Sequence, residues 1–161
     1  MSELLIIEQA VNAMKLQWSE SNESITYDFI PQENPMIKGQ IKILGINFLC
    51  LIENEVNGVN VTRIKDTIKN CPDLQAIPFL VVARYVQPMV YETLRTAGIN
   101  FADTAGNYQI RHTKDKGIIF QLSHTGEKAP TTLNKSYPIF QEAGLKVIFF
   151  LLQDDNNISK T

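Results

Sequence analysis

The stretch PFLVVARYVQPMVYETLRTAGINFADTAGNYQI, residues 78–110, decides the fold. Pro78 to Ala83 is short, continuously apolar and rich in β-branched residues, which predicts a central strand covered on both faces. Pro88 is placed to open a helix whose buried face carries Val90, Leu94 and Ala97, and Gly98 is placed to end it. Asn100 to Ala102 and Asn107 to His112 read as strands on either side of Asp103-Thr104-Ala105-Gly106-Asn107. A buried strand, a helix and more strands in so short a span call for a sheet with helices packed on it.

Working outward, Leu4, Ile7, Val11, Met14 and Trp18 recur at steps of three and four and predict an amphipathic helix. After a polar linker, Ile25 to Ile30, Ile37 to Ile43 and Ile46 to Ile52 read as three strands of a meander, the last more deeply buried. Asn57-Gly58 signals a turn, and Asn60 is placed to cap a helix carrying Val61, Ile64 and Ile68 on one side. Beyond the opening stretch, Lys116-Gly117 leads into a strand over Ile118 to Leu122, followed by a polar loop. The segment Ala143 to Leu152 is of helix length and apolar nearly all round, so it needs cover from a further domain or a second subunit. The expected fold is therefore α/β, a mixed β-sheet flanked by helices.

A chain of 161 residues with 44% apolar and 20% charged residues has the composition of a folded domain with a real core. Glu3 and Glu8 stand where a secretory signal would carry cations, and the longest apolar run, Val147 to Leu152, is far short of a membrane span. Cytoplasmic localisation and no membrane partner are expected. Cys50 lies in an apolar run and reads as a buried thiol, and its separation from Cys71 matches no metal site. Charge is uneven: residues 1–57 carry three Lys against eight acids, whereas residues 58–128 carry nine Lys and Arg against six. A basic centre permits nucleic acid as a partner without requiring it.

Two readings of the 103–107 motif stay open. Asp103, Thr104, Gly106 and Asn107 are the residue types of a tight strand connection, because short polar side chains bond the local backbone and glycine takes positive φ. Alternatively, Asp103 and Asn107 line a cleft at a strand end, where α/β sheets often bind ligands. His112 and His124 have no metal-ligand spacing, and the chain has no phosphate loop or nucleophile elbow. Arg111, Lys114, Lys116 and Lys128 cluster in sequence and are candidate phosphate contacts, with a solvated loop as the other reading.

The order of residues 78–110, followed by a glycine-led strand, a polar loop and IFQEAGLKVIFFLL (residues 139–152), resembles the AbiEi-family antitoxins of bacterial type IV toxin–antitoxin systems and related transcriptional regulators. The match covers residues 78–152 well and the first half in outline. The resemblance implies a restriction-endonuclease-like core of the PD-(D/E)XK type over residues 1–128, a linker over 129–142, and the start of a winged helix over 143–161, truncated after its first helix. Active members of that wider superfamily place an acid at one strand start and Glu-x-Lys on the next, holding Mg²⁺. Here the first position falls around Pro35-Met36-Ile37, and Glu53-Asn54-Glu55 has no lysine two residues beyond Glu53.

The resemblance thus implies a degenerate nuclease scaffold: a non-catalytic, DNA-associated regulatory domain with no metal and no cofactor, in which DNA recognition is expected chiefly through the missing C-terminal continuation of the winged helix. Antitoxins of this kind repress their own operon and oppose a nucleotidyltransferase toxin. Two alternatives come from other classes. One is an active Mg²⁺-dependent nuclease whose acids are Glu53, Glu55 and Asp103 in a rearranged site. The other is a dimerisation module, a homodimer built on the apolar 145–152 helix.

Overall fold

The computed structural model describes residues 2–18, 24–28 and 36–130, all within the compact unit Met1–Pro130. Expectations that fall on residues 131–161, including the 145–152 helix and the winged-helix start, lie outside the described residues, as do Phe29 to Pro35. The architecture is α/β: one mixed sheet of seven strands among the described residues, with helices on both faces.

Helix α1 (Glu3–Gln17) comes first, with the Ser2 hydroxyl accepting from the Leu5 N–H at its start. Then follow β1 (Ile25–Asp28), β2 (Gly39–Ile43) and β3 (Ile46–Val56), the antiparallel meander that the sequence predicts. Helix α2 (Val61–Lys69) and a short α3 (Pro72–Ala76) carry the chain across to β4 (Phe79–Val86), which pairs parallel to β3. A 3₁₀ turn (Pro88–Val90) and α4 (Tyr91–Thr96) lead to β5 (Phe101–Asp103), parallel to β4. Strands β6 (Tyr108–Lys114) and β7 (Gly117–His124) complete the sheet as an antiparallel hairpin, so that spatial order equals chain order.

The central strand explains the layering. Leu80 and Val82 of β4 join Ile7, Ala10, Val11 and Met14 of α1 with Ile41, Phe48 and Ile110 in one core. Val81 and Ala83 join Ile64 and Ile68 of α2, Leu74 of α3 and Leu94 of α4 in the other. Alternation along a strand sends successive side chains to opposite faces, so an unbroken apolar run is what a doubly covered strand needs.

Several local expectations need correction. On α1 the buried stripe is Ile6, Ile7, Ala10, Val11 and Met14, while Leu4 is 45% exposed; the docking of the helix rotates the stripe. On α4 Ala97 is exposed, and Ile99 takes its place in the core. The helix ends with Gly98 at φ +69°, its N–H bonded to the Arg95 carbonyl and the Ile99 N–H bonded to the Leu94 carbonyl. That 6→1 and 5→2 pair satisfies two terminal carbonyls and brings Ile99 against Leu94. Asn60 sits before α2 but does not cap it: its side chain accepts from the Asn57 N–H and donates to the Glu55 carbonyl. Helix α3, too short to show a period, has no counterpart in the sequence reading. No helix among the described residues is long and apolar enough to cross a membrane.

Candidate functional site

The parallel strands β3, β4 and β5 end at Val56, Val86 and Asp103, and the connection Asp103–Asn107 lies at that end. Asp103 is fully buried, and so is Asn107; they are the buried polar residues of the described chain. One carboxylate oxygen of Asp103 accepts from the backbone N–H groups of Ala105 and Asn107, at 3.0 and 2.9 Å. The other accepts from the Val86 N–H at 3.0 Å and from the Asn107 side-chain amide at 2.9 Å. An ionised carboxylate has about four acceptor sites, so these four donors use its capacity. Burial raises the Asp103 carboxyl above its ordinary value, against the pull of the Asn107 amide and the backbone N–H groups of Val86, Asn107 and Ala105.

The neighbours complete the connection. The Asp103 N–H donates to the Asn107 carbonyl at 2.8 Å and the Gly106 N–H to the Asp103 carbonyl at 3.2 Å, closing the turn with Gly106 at φ +102°. The Thr104 hydroxyl donates to the Arg84 carbonyl at 2.7 Å, fixing the turn to the end of β4. Asn107 reaches the other way: its amide nitrogen donates to the Glu127 carbonyl at 3.1 Å and its oxygen accepts from the Glu127 N–H at 2.9 Å. The Asp103–Asn107 pair therefore ties together β4, the turn and the segment after β7. The unpaired Tyr91 hydroxyl is nearby: the ring stacks on Phe101 at 5.1 Å, and burial, with the Asp103 charge next, pushes the phenol up to about 12.

The other candidate acids are on β3. Register places Glu53 level with Ala83 on β4, and Ala83 level with Asp103 on β5. Two strand spacings put the Glu53 and Asp103 backbones about 9.6 Å apart. Glu53 faces both ways onto the Arg63 guanidinium, each oxygen 2.9 Å from the same nitrogen. Glu55 accepts from the Gln87 amide at 2.6 Å. Among the described residues no three His, Cys, Asp or Glu side chains converge as a metal site would need.

The basic candidates do not form one patch. Arg111 and Lys114 lie on β6, and Lys116 is in the hairpin turn, whose Asp115 and Lys116 have φ of 51° and 67°. Lys128 lies beyond the other end of β7, a strand that runs about 23 Å from Gly117 to His124 over seven intervals. Its neighbour Glu127 is held by Asn107 and meets the His124 ring at 3.1 Å. His112 packs edge-on against Phe48, with ring centres 6.0 Å apart. Cys50 is fully buried, and burial pushes its thiol far above the ordinary range. The sequence reading missed Asn100, whose oxygen accepts from the Arg111 N–H at 2.9 Å while its nitrogen reaches the Phe79 carbonyl at 3.4 Å. An asparagine directly before a strand is its only trace in the sequence.

No family model, no curated protein and no solved structure matches the chain.

Proposed function

We propose that the chain carries a non-catalytic, DNA-associated regulatory domain on a degenerate restriction-endonuclease-like scaffold, as its resemblance to AbiEi-type antitoxins implies. The observation that carries the reading is the state of Asp103: both carboxylate oxygens are spent on protein N–H donors, leaving none for a metal or a water. The remaining acids support it. Glu53 is bound to Arg63 and Glu55 to Gln87, so the carboxylates do not fit a Mg²⁺ ion, which needs several oxygens in near-octahedral array. The mixed sheet flanked by helices agrees with the core that the resemblance implies.

DNA contact through Arg111, Lys114 and Lys116 would use phosphate charge rather than base edges. Three such contacts give a salt slope near −2.7, about a 40-fold loss of affinity between 50 and 200 mM salt. Anisotropy titration of a labelled duplex with the full chain measures this. A flat salt response, or no binding at low salt, overturns the DNA part of the proposal.

The level placement of Glu53 and Asp103 across the small Ala83 favours one second reading, an active nuclease. Incubation with supercoiled plasmid and Mg²⁺ or Mn²⁺ separates the two. Nicking that disappears in Glu53→Ala establishes the enzyme and removes the regulatory reading; an intact plasmid supports it.

A further inference from the structure

Past the end of α4, a cavity of about 490 Å³ opens between α4 and the β6–β7 hairpin. Arg95, Asn100, Gln109, Arg111, Thr113 and Gln121 line it, and among the described residues no carboxylate does. Gln109 and Arg111 alternate onto one face of β6, and Gln121 lies directly across from Arg111 on β7. Asn100 fixes the backbone of Arg111. The wall is thus a surface of the sheet.

Three observations point to a ligand. Arg95 gives one nitrogen to Glu92 at 2.6 Å and keeps further N–H donors, since a guanidinium has five. Arg111 makes no ion pair among the described residues, so the cavity carries one positive charge beyond the Arg95–Glu92 pair. The side-chain oxygen of Gln109 is closed off and accepts no hydrogen bond. Buried amides rarely stay so, and a half turn of the side chain presents either end to an incoming group.

We propose that this cavity binds a nucleotide, with the phosphate taken by Arg95 and Arg111 and the base edge by the amides of Gln109 and Gln121 beside the Thr113 hydroxyl. Guanidinium forks match phosphate oxygens, side-chain amides match the donor and acceptor edges of bases, and the volume suits a ligand of that size. A free mononucleotide and one unit of a single strand share this chemistry. The site shares Arg111 with the proposed duplex contact but is tested apart from it, since a chain that ignores duplex DNA can still take a mononucleotide here.

The test uses the full chain, with calorimetry and thermal melting against the four nucleoside 5′-monophosphates, inorganic phosphate and a short oligothymidylate. Monophosphates are expected to bind, with Arg111→Ala weakening them about tenfold or more. Arg111 is exposed, so this variant keeps the fold, which its melting curve verifies. Gln109→Leu is expected to keep phosphate-dependent binding and to erase preference among bases. Binding of the oligonucleotide alone, lost in Arg111→Ala, assigns the ligand to a strand and upholds the site. Three results overturn it: no binding of any nucleotide at about 10 mM, affinity unchanged in Arg111→Ala, or inorganic phosphate binding as tightly as the nucleotides.

Discussion

Replacing Asp103 by Asn isolates what the buried carboxylate does. The substitution changes little volume and keeps one carbonyl oxygen, so the Ala105 and Asn107 N–H groups can retain their acceptor. The NH₂ group then faces the Val86 N–H and the Asn107 amide, both donors. Two hydrogen bonds to a charged group are lost at about 1.5–3 kcal/mol each. Relief from burying a charge offsets part of this, leaving a net loss of about 3 kcal/mol. With a urea dependence of about 2 kcal/mol per molar, the unfolding midpoint falls by about 1.5 M at unchanged slope. Far-UV dichroism across a urea series measures it. A midpoint within about 0.3 M of the parent, equivalent to less than about 0.6 kcal/mol, would show that the four donors do not depend on the carboxylate and would refute the reasoning.

Four further outcomes follow from neighbouring features. Asn107→Ala removes both bonds to Glu127 and the amide donor to Asp103 and is expected to cost about 3 kcal/mol, with faster amide exchange over residues 125–128 than in the parent. Gly106→Ala should cost about 1–2 kcal/mol from backbone conformation alone, because an added Cβ meets nothing nearer than 3.7 Å; equal stability by urea unfolding contradicts this. Lys116→Gly relieves a lysine at φ 67° and should raise stability by about 1 kcal/mol while reducing any duplex affinity, which unfolding and anisotropy read separately. Cys50 ionises in the unfolded chain near its ordinary value of 9.0 but far higher when folded, so its stabilising preference is complete below that pH and is lost as pH rises. Urea midpoints are expected to fall from about pH 9 upward, less steeply in Cys50→Ala, and the native thiol should resist a disulfide reagent at pH 8.

The site was half legible in the sequence. Asp103, Thr104, Gly106 and Asn107 announce a turn, since each favours local bonding or positive φ, and the structure gives them that geometry. Their long-range partners left no such trace. Val86 donates through its backbone, and Glu127 does so too, although its side chain suggests a surface charge. Backbone donors carry no residue signature. The cations at 111–128 show the opposite effect: a hairpin spreads residues that are close in sequence, with Lys116 before β7 and Lys128 after it.

What the sequence by itself determined is the layering and the set of elements apart from the short α3. Continuous apolarity over Pro78 to Ala83 requires cover on both faces, alternation sets the meander, and Gly98 ends α4, because these depend on neighbours within a few residues. Only the tertiary structure decided which side of α1 faces the sheet, burying Ile6 and Ala10 and leaving Leu4 exposed, since rotation about a helix axis is set by the surface it meets. It also decided the fate of the acids. Whether a carboxylate is a metal ligand or a staple depends on the donors that surround it. For Asp103 those come from β4 and from its own turn, brought together by the register of parallel strands.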